Sequence, residues 1–203
     1  MAVVDYGIGN LFSAYKALQL IAPDTYCATD PSQIGTPEGV VLPGVGDFGA
    51  CMTALRQSGF DRVIHELRES SVPILGICVG MQMLFEYSSE SGGHEGLGLI
   101  PGQVRRLEGS RRLPQMQWNQ LELVEEAGDL YRGVESKAWV YFVHSYAVPS
   151  SDYATAYSFY GQRFVASIQS GRIFGTQYHP EKSSRAGIEL LSNFVSYAKG
   201  SRR

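Results

Sequence analysis

The sequence predicts an α/β fold: a single domain with a mixed, mostly parallel central sheet flanked by helices. Three observations carry that prediction. Through the first half, short apolar runs alternate with amphipathic helical patterns, the mark of βαβ units and of a parallel sheet covered on both faces. The second half changes to shorter β-like pieces separated by turns, which adds antiparallel strands. Finally, 203 residues at 44% hydrophobic and 18% charged suit one large core better than two small ones. The 23 glycines exceed the usual share of ~7% and point to many tight turns or close backbone approaches.

Taken in order, Ala2-Val3-Val4 reads as a strand, and Leu11 to Ile21 puts Leu11, Ala14, Leu18 and Ile21 on one helical face. Val40-Val41-Leu42 is a second strand, followed by Pro43-Gly44-Val45-Gly46 and a helix from Gly49 to Gln57. Phe60 to Glu69 forms another helix, and the apolar run Val72 to Cys78 leads into a helical pattern from Val79 to Phe85. After Gly92-Gly93 come the β-like pieces Val104 to Leu107, Trp118 to Val124, Trp139 to Val143, Phe164 to Gln169 and Ile173 to Gln177. A final amphipathic helix runs from Ser184 to Tyr197. No linker composition, charge run or repeat of solenoid spacing divides the chain, so residues 1–203 are expected to form one domain.

Charge and composition exclude several functions. With 17 Lys plus Arg against 20 Asp plus Glu, the net charge of −3 argues against nucleic-acid binding through a general basic surface. No apolar run approaches the ~20 residues of a membrane span, and Met1 leads directly into a strand without a charged leader. The expectation is a cytoplasmic protein with no membrane partner. Cys27, Cys51 and Cys78 are odd in number and irregularly spaced, with no C-x-x-C and no Cys/His set at zinc spacing. A reducing compartment and no metal or other cofactor follow as expectations.

Gly76-Ile77-Cys78-Val79-Gly80 has the form G-x-nucleophile-x-G at a strand-to-helix junction. A sharp turn there strains the nucleophile's backbone, and flanking glycines remove side chains that would strike the neighbouring strand and helix. The thiol would stand at a helix N-terminus, where free N–H groups favour thiolate and the Val79 amide can donate to an oxyanion. A buried structural cysteine between packing glycines is the competing reading of the same pentapeptide. Of four histidines, His65 lies in a charged helical stretch and His94 in a glycine-rich loop, so both are expected at the surface, which leaves His144 and His179. In His179-Pro180-Glu181, proline holds the preceding residue extended, which would put imidazole and carboxylate on the same side. Glu181 could orient His179 as the base for Cys78, although H-P-E is equally a surface turn.

Chain order separates classes. An α/β-hydrolase runs nucleophile, acid, histidine, whereas here Cys78 is followed by His179 and then Glu181, which argues against an esterase. Asp5-Tyr6-Gly7-Ile8-Gly9-Asn10 carries G-x-G-x-x-F, with Phe12 where the third glycine of a dinucleotide fingerprint belongs, so that function is rejected. A loop at the C-terminal end of a central strand, near the active edge, accounts for it better.

Two segments, Gly76 to Gln82 and Gln177 to Ser183, resemble the class I (triad) glutamine amidotransferases. Within that family, Asp5 to Asn10, Leu42 to Gly46 and Tyr141 to Tyr146 are similar to the glutaminase subunit of imidazole glycerol phosphate synthase, of histidine biosynthesis. The resemblance spans nearly the whole chain. It implies that Cys78 attacks the side-chain amide of glutamine with His179 as base and Glu181 as orienting acid. It also implies that Val45 and Val79 supply the oxyanion N–H groups, and that the Val45 peptide turns into position when a partner is loaded. Gly46, Gln82, Glu90, Ser145 and Tyr146 match positions near bound glutamine; Asn10, Trp118, Tyr141 and Lys182 match positions at the partner interface. One departure stands out: where members often have P-H-M-G-W-N, this chain has Pro114-Gln115-Met116-Gln117-Trp118-Asn119.

Free ammonia is largely protonated in neutral water and useless there as a nucleophile. One glutaminase-sized domain uses the chain fully, so the acceptor site is expected on another polypeptide, which the resemblance identifies as a (β/α)8 cyclase subunit forming a heterodimer. Two alternatives stay open: a paralogous glutaminase feeding another synthase, for example one making amidino sugars, and a non-catalytic regulatory domain of the same fold, against which intact Cys78, His179 and Glu181 count.

Overall fold

The computed structural model describes residues 1–8, 11–109 and 112–200. Its elements, in chain order, begin with β1 (Ala2–Val4), α1 (Leu11–Ile21), β2 (Tyr26–Ala28), β3 (Val40–Gly44), α2 (Phe48–Gln57), α3 (Phe60–Glu69), β4 (Ile74–Cys78) and α4 (Val79–Met83). There follow β5 (Phe85–Ser88), β6 (His94–Glu95), β7 (Ile100–Arg106), β8 (Gln115–Gln120), β9 (Glu122–Leu123), β10 (Trp139–His144) and β11 (Tyr146–Ala147). The chain closes with β12 (Ala154–Tyr160), β13 (Gln162–Ser170), β14 (Ile173–Thr176) and α5 (Ser184–Gly200).

The main sheet has the order β2-β1-β3-β4-β14-β13-β12-β9. Pairing from β2 through β14 is parallel, and β13, β12 and β9 are antiparallel. Every residue of β1, β3, β4 and β14 is buried, as a sheet covered on both faces requires. The chain moves outward from β1 to β2 and then returns past β1 to β3, so right-handed crossovers place α1 and the α2–α3 pair on opposite faces. That reversal makes a switch point between β1 and β3, and ligands of open α/β sheets bind at the carboxyl ends of strands beside such a point. On α3, Phe60, Ile64 and Leu67 are the buried residues, one stripe of an otherwise charged helix.

The expected elements are present, joined by strands that the sequence pattern did not mark, among them β2, β5 and β12, and three expectations differ. The helical pattern after Cys78 stops at Met83, because Phe85 enters a strand that pairs with β7. The pieces around Val104, Trp118 and Trp139 leave the main sheet: β8 and β10 form an antiparallel ribbon, and β7 joins β5, β6 and β11 in a second small sheet. The expected strand Trp118 to Val124 is divided at Leu121 between the ribbon strand β8 and the main-sheet strand β9.

Close packing at the centre makes a stability prediction. A Cβ on Gly80 would overlap the Leu42 carbonyl, and one on Gly76 would stand 2.6 Å from the Gly80 carbonyl oxygen. Backbone cannot yield as a flexible side chain can. Gly80→Ala is therefore expected to destabilise the fold by about 3 kcal/mol or more. Denaturant unfolding should show this as a lowered midpoint, and a midpoint equal to wild type would contradict the packing argument.

Candidate active site

β3, β4 and β14 end side by side, and their carboxyl ends build one site. Cys78 closes β4 with φ 55° and ψ −114°, a strained backbone for a non-glycine residue. Val79 then opens α4, so its N–H has no partner within that helix. Because α4 is only five residues long, local N–H groups matter more here than a helix dipole. Beyond the end of β3, Val45 and Gly46 reach the same cavity, Gly46 at φ 90°. Gly44 is glycine for a different reason: a Cβ there would stand 2.6 Å from the Gly80 nitrogen.

His179 lies just beyond β14, extended at φ −95° and ψ 97°, followed by a 3-10 turn over Pro180–Lys182. The turn, rather than a continued extended chain, brings Glu181 back to the imidazole. His179 Nδ1 meets Glu181 Oε1 at 2.9 Å, both side chains being almost fully buried. Nε2 is thereby left for the Cys78 sulfur, with which the imidazole interacts. Burial opposes charge on His179, but the Cys78 sulfur and Glu181 outweigh it and raise the imidazole to about 10. The imidazole therefore carries its proton beside the sulfur at neutral pH.

The cavity has a volume of about 250 Å³, the scale of one small metabolite. Of the expected residues, Val45, Gly46, Cys78, Val79, Gln82, Glu90, Ser145, Tyr146, His179 and Lys182 line it, together with Val143 and His144, while Glu181 stands behind His179. Glu90 accepts from the Phe48 N–H at 3.0 Å, and burial raises its carboxyl above the usual range. Trp118 and Tyr141 face each other across the β8–β10 ribbon, ring centroids 6.0 Å apart, and Trp118 is 42% exposed. Asn10 lies outside the described residues. His65 is exposed as expected, whereas His94 is half-buried, its ring packed over Gly49 where a Cβ would collide. Glycine at position 49 leaves room for that ring.

The sequence reading did not single out Gln177. The Tyr146 carbonyl can only accept, so the Gln82 atom 2.9 Å away is its amide nitrogen. That nitrogen also donates to Gln177 Oε1 at 2.9 Å, which turns the Gln177 amide nitrogen toward Cys78 Sγ at 3.9 Å. A donor thus points at the sulfur. Both Gln82 N–H groups are spent, and only its oxygen remains to accept from a ligand. The available signal was polarity: Gln177 is a fully buried amide beside His179.

His144, the other histidine that the sequence left as a candidate but gave no role, also lines the cavity. Its Nδ1 stands 2.9 Å from the Tyr146 carbonyl and must donate, and its ring packs on Phe142 and Phe164. Burial depresses it to about 4, the Tyr146 carbonyl partly opposing and His179 reinforcing the shift. The unfolded chain therefore binds more protons between about 4 and 6.5, and stability falls as pH falls through that window by about 3 kcal/mol in all. His144→Gln is expected to flatten this part of the pH dependence. Denaturation curves of both proteins between pH 4 and 7 check it, and equal slopes would contradict it. Opposite His144 in the ribbon, Gln115 is fully buried with neither amide atom hydrogen-bonded, whereas Gln117 is exposed.

Comparison with known proteins agrees with this geometry. Residues 3–197 match the family model described as glutamine amidotransferase class-I. The chain is 46% identical over 196 residues to the imidazole glycerol phosphate synthase subunit HisH of Moorella thermoacetica, covering 96% of this chain and 93% of that one. It is 44% identical over 202 residues to the protein of the same name from a Synechococcus species, covering 97% and 93%. Among solved structures, that of PurLQS from Thermotoga maritima superposes with a TM-score of 0.77 over 97% of this chain and 97% of that one, at 19% identity, a likeness of fold. The chain therefore belongs to the class-I glutamine amidotransferases and, within them, to the family of imidazole glycerol phosphate synthase HisH subunits.

Proposed function

We propose that this protein is the glutaminase subunit of an imidazole glycerol phosphate synthase, working in the cytoplasm as one amidotransferase domain over residues 1–203. The observation that carries the reading is the strained Cys78 facing an imidazole that Glu181 holds at 2.9 Å, on a cavity sized for one small metabolite.

Cys78 sulfur attacks the side-chain carbonyl carbon of glutamine, and the carbonyl oxygen becomes an oxyanion. Val79 N–H and Val45 N–H donate to it; such donors act where charge develops and need no reorganisation at that moment. His179, holding the thiol proton, passes it to the amide nitrogen as the C–N bond breaks. Ammonia leaves and a γ-glutamyl thioester remains. Water then attacks the thioester carbon while His179 takes its proton, and collapse releases glutamate and frees the sulfur, with His179 again holding the proton. Glu181 keeps Nδ1 protonated and Nε2 aimed at sulfur throughout. Glu90, Ser145, Tyr146, Gly46 and the Gln82 oxygen hold the amino-acid end of glutamine.

The partner is a (β/α)8 cyclase subunit that docks on the surface of Trp118, Tyr141 and Lys182, with Asn10 matched to that interface by the family resemblance. Support comes from the exposure of Trp118 beside Tyr141 and from Lys182 at the cavity rim. Transfer of ammonia within such a heterodimer keeps it unprotonated. The test supplies glutamine labelled with 15N in its side chain to the chain plus cyclase and the cyclase's nucleotide-like substrate. Label in the imidazole product supports the assignment; glutamate release with no labelled product would reassign the chain to another synthase.

A further inference from the structure

Two buried side chains outside the cavity grip the strand end that carries Val45. Tyr6, beyond the end of β1, donates its hydroxyl to the Pro43 carbonyl at 2.9 Å. Cys51, in α2, donates its thiol to the Val45 carbonyl at 3.3 Å. Tyr6 is 5% exposed and Cys51 0%, and the two interact with each other. Neither lines the cavity.

Peptide groups turn as rigid planes. The Pro43 carbonyl belongs to the plane joining residues 43 and 44, and the Val45 carbonyl to the plane joining 45 and 46. Between them lies the plane joining Gly44 and Val45, whose N–H points according to how its two neighbours are held. Gly44 is itself pressed against the Gly80 nitrogen, so the strand end has little room to shift sideways. We propose that Tyr6 and Cys51 are positioning residues that clasp the flanking peptides and so set the direction of the Val45 N–H. The role of that N–H rests on the glutaminase reading above; the clasp itself rests on the two hydrogen bonds. Burial raises both the Tyr6 hydroxyl and the Cys51 thiol above their ordinary ranges, so both keep the protons they donate.

Three variants and the wild type, each with the cyclase partner present, test the clasp: Tyr6→Phe, Cys51→Ala and Cys51→Ser. Tyr6→Phe and Cys51→Ala are expected to lower kcat for glutamate release about tenfold or more, with KM within about twofold, because a misaimed oxyanion donor is missed chiefly in the transition state. Cys51→Ser keeps a donor in place and should recover most of the rate, which a cavity-filling role for the thiol would not predict. Alkylation of Cys78 by iodoacetamide, followed by peptide mapping, forms no oxyanion and should proceed at the wild-type rate in all four. Unchanged kcat in Cys51→Ala, equal losses in Cys51→Ala and Cys51→Ser, or alkylation falling in step with kcat would overturn the clasp. Amide hydrogen exchange at residues 44 to 46 needs no turnover: it should quicken in Cys51→Ala and not in Cys51→Ser. It decides the clasp even if wild type releases no glutamate, a result that would defeat the functional reading alone. Should Tyr6→Phe fail to fold, the two Cys51 variants carry the test.

Discussion

Cys78→Ala is expected to remove glutamine turnover, by roughly 10⁴-fold or more, while the fold and partner binding persist. The sulfur forms the only covalent bond between enzyme and substrate in the proposed cycle, so no other group can substitute for it. Packing at the turn depends on the absence of side chains at Gly76 and Gly80, and alanine at 78 keeps a Cβ where one already stands. His179→Ala should lose as much, since the same imidazole must serve both half-reactions. Glu181→Ala should keep more, about one to two powers of ten, because an orienting acid is the least costly triad member to remove. Steady-state glutamate release with matched circular dichroism spectra checks the series. Wild-type turnover in Cys78→Ala, or Glu181→Ala slower than His179→Ala, would contradict these roles.

The isolated chain is expected to hydrolyse glutamine at least about a hundredfold more slowly than the chain bound to a cyclase carrying its nucleotide-like substrate. An oxyanion donor pointing away from the reaction forfeits about 3 to 4 kcal/mol of transition-state stabilisation, enough for that factor. Gly46, at φ 90°, lets the backbone beside Val45 adopt conformations closed to other residues. A donor held away until an acceptor is present would prevent glutamine from being spent on ammonia that water would protonate. Assays of the lone chain, the heterodimer and the heterodimer with acceptor separate gated from always-competent behaviour. Full turnover by the lone chain would refute gating.

The sequence by itself determined the fold class, most elements of the parallel half and the candidate residues Cys78, His179 and Glu181 that the structure brings together. Strands such as Val40–Leu42 and Ile74–Cys78 are buried on both faces and read as continuous apolar runs, and the α3 stripe of Phe60, Ile64 and Leu67 repeats at helical spacing. Cys78 was legible because a strained turn between packed elements admits only glycine on either side, a local requirement that leaves a local pattern. His179 and Glu181 were legible because they sit two residues apart, although the turn that joins them was read as extended chain. Tertiary structure alone decided which strands leave the main sheet, since short half-exposed segments such as Gln115–Gln120 pair by register with distant partners. It alone brought Gln177 and Gln82, 95 residues apart, to aim an amide at the Cys78 sulfur, and bonded Tyr6 and Cys51 to the carbonyls before and after the Gly44–Val45 peptide. A hydrogen bond between residues far apart in the chain leaves no periodicity; its partners become visible only when the sheet places the ends of β1, β3, β4 and β14 along one edge.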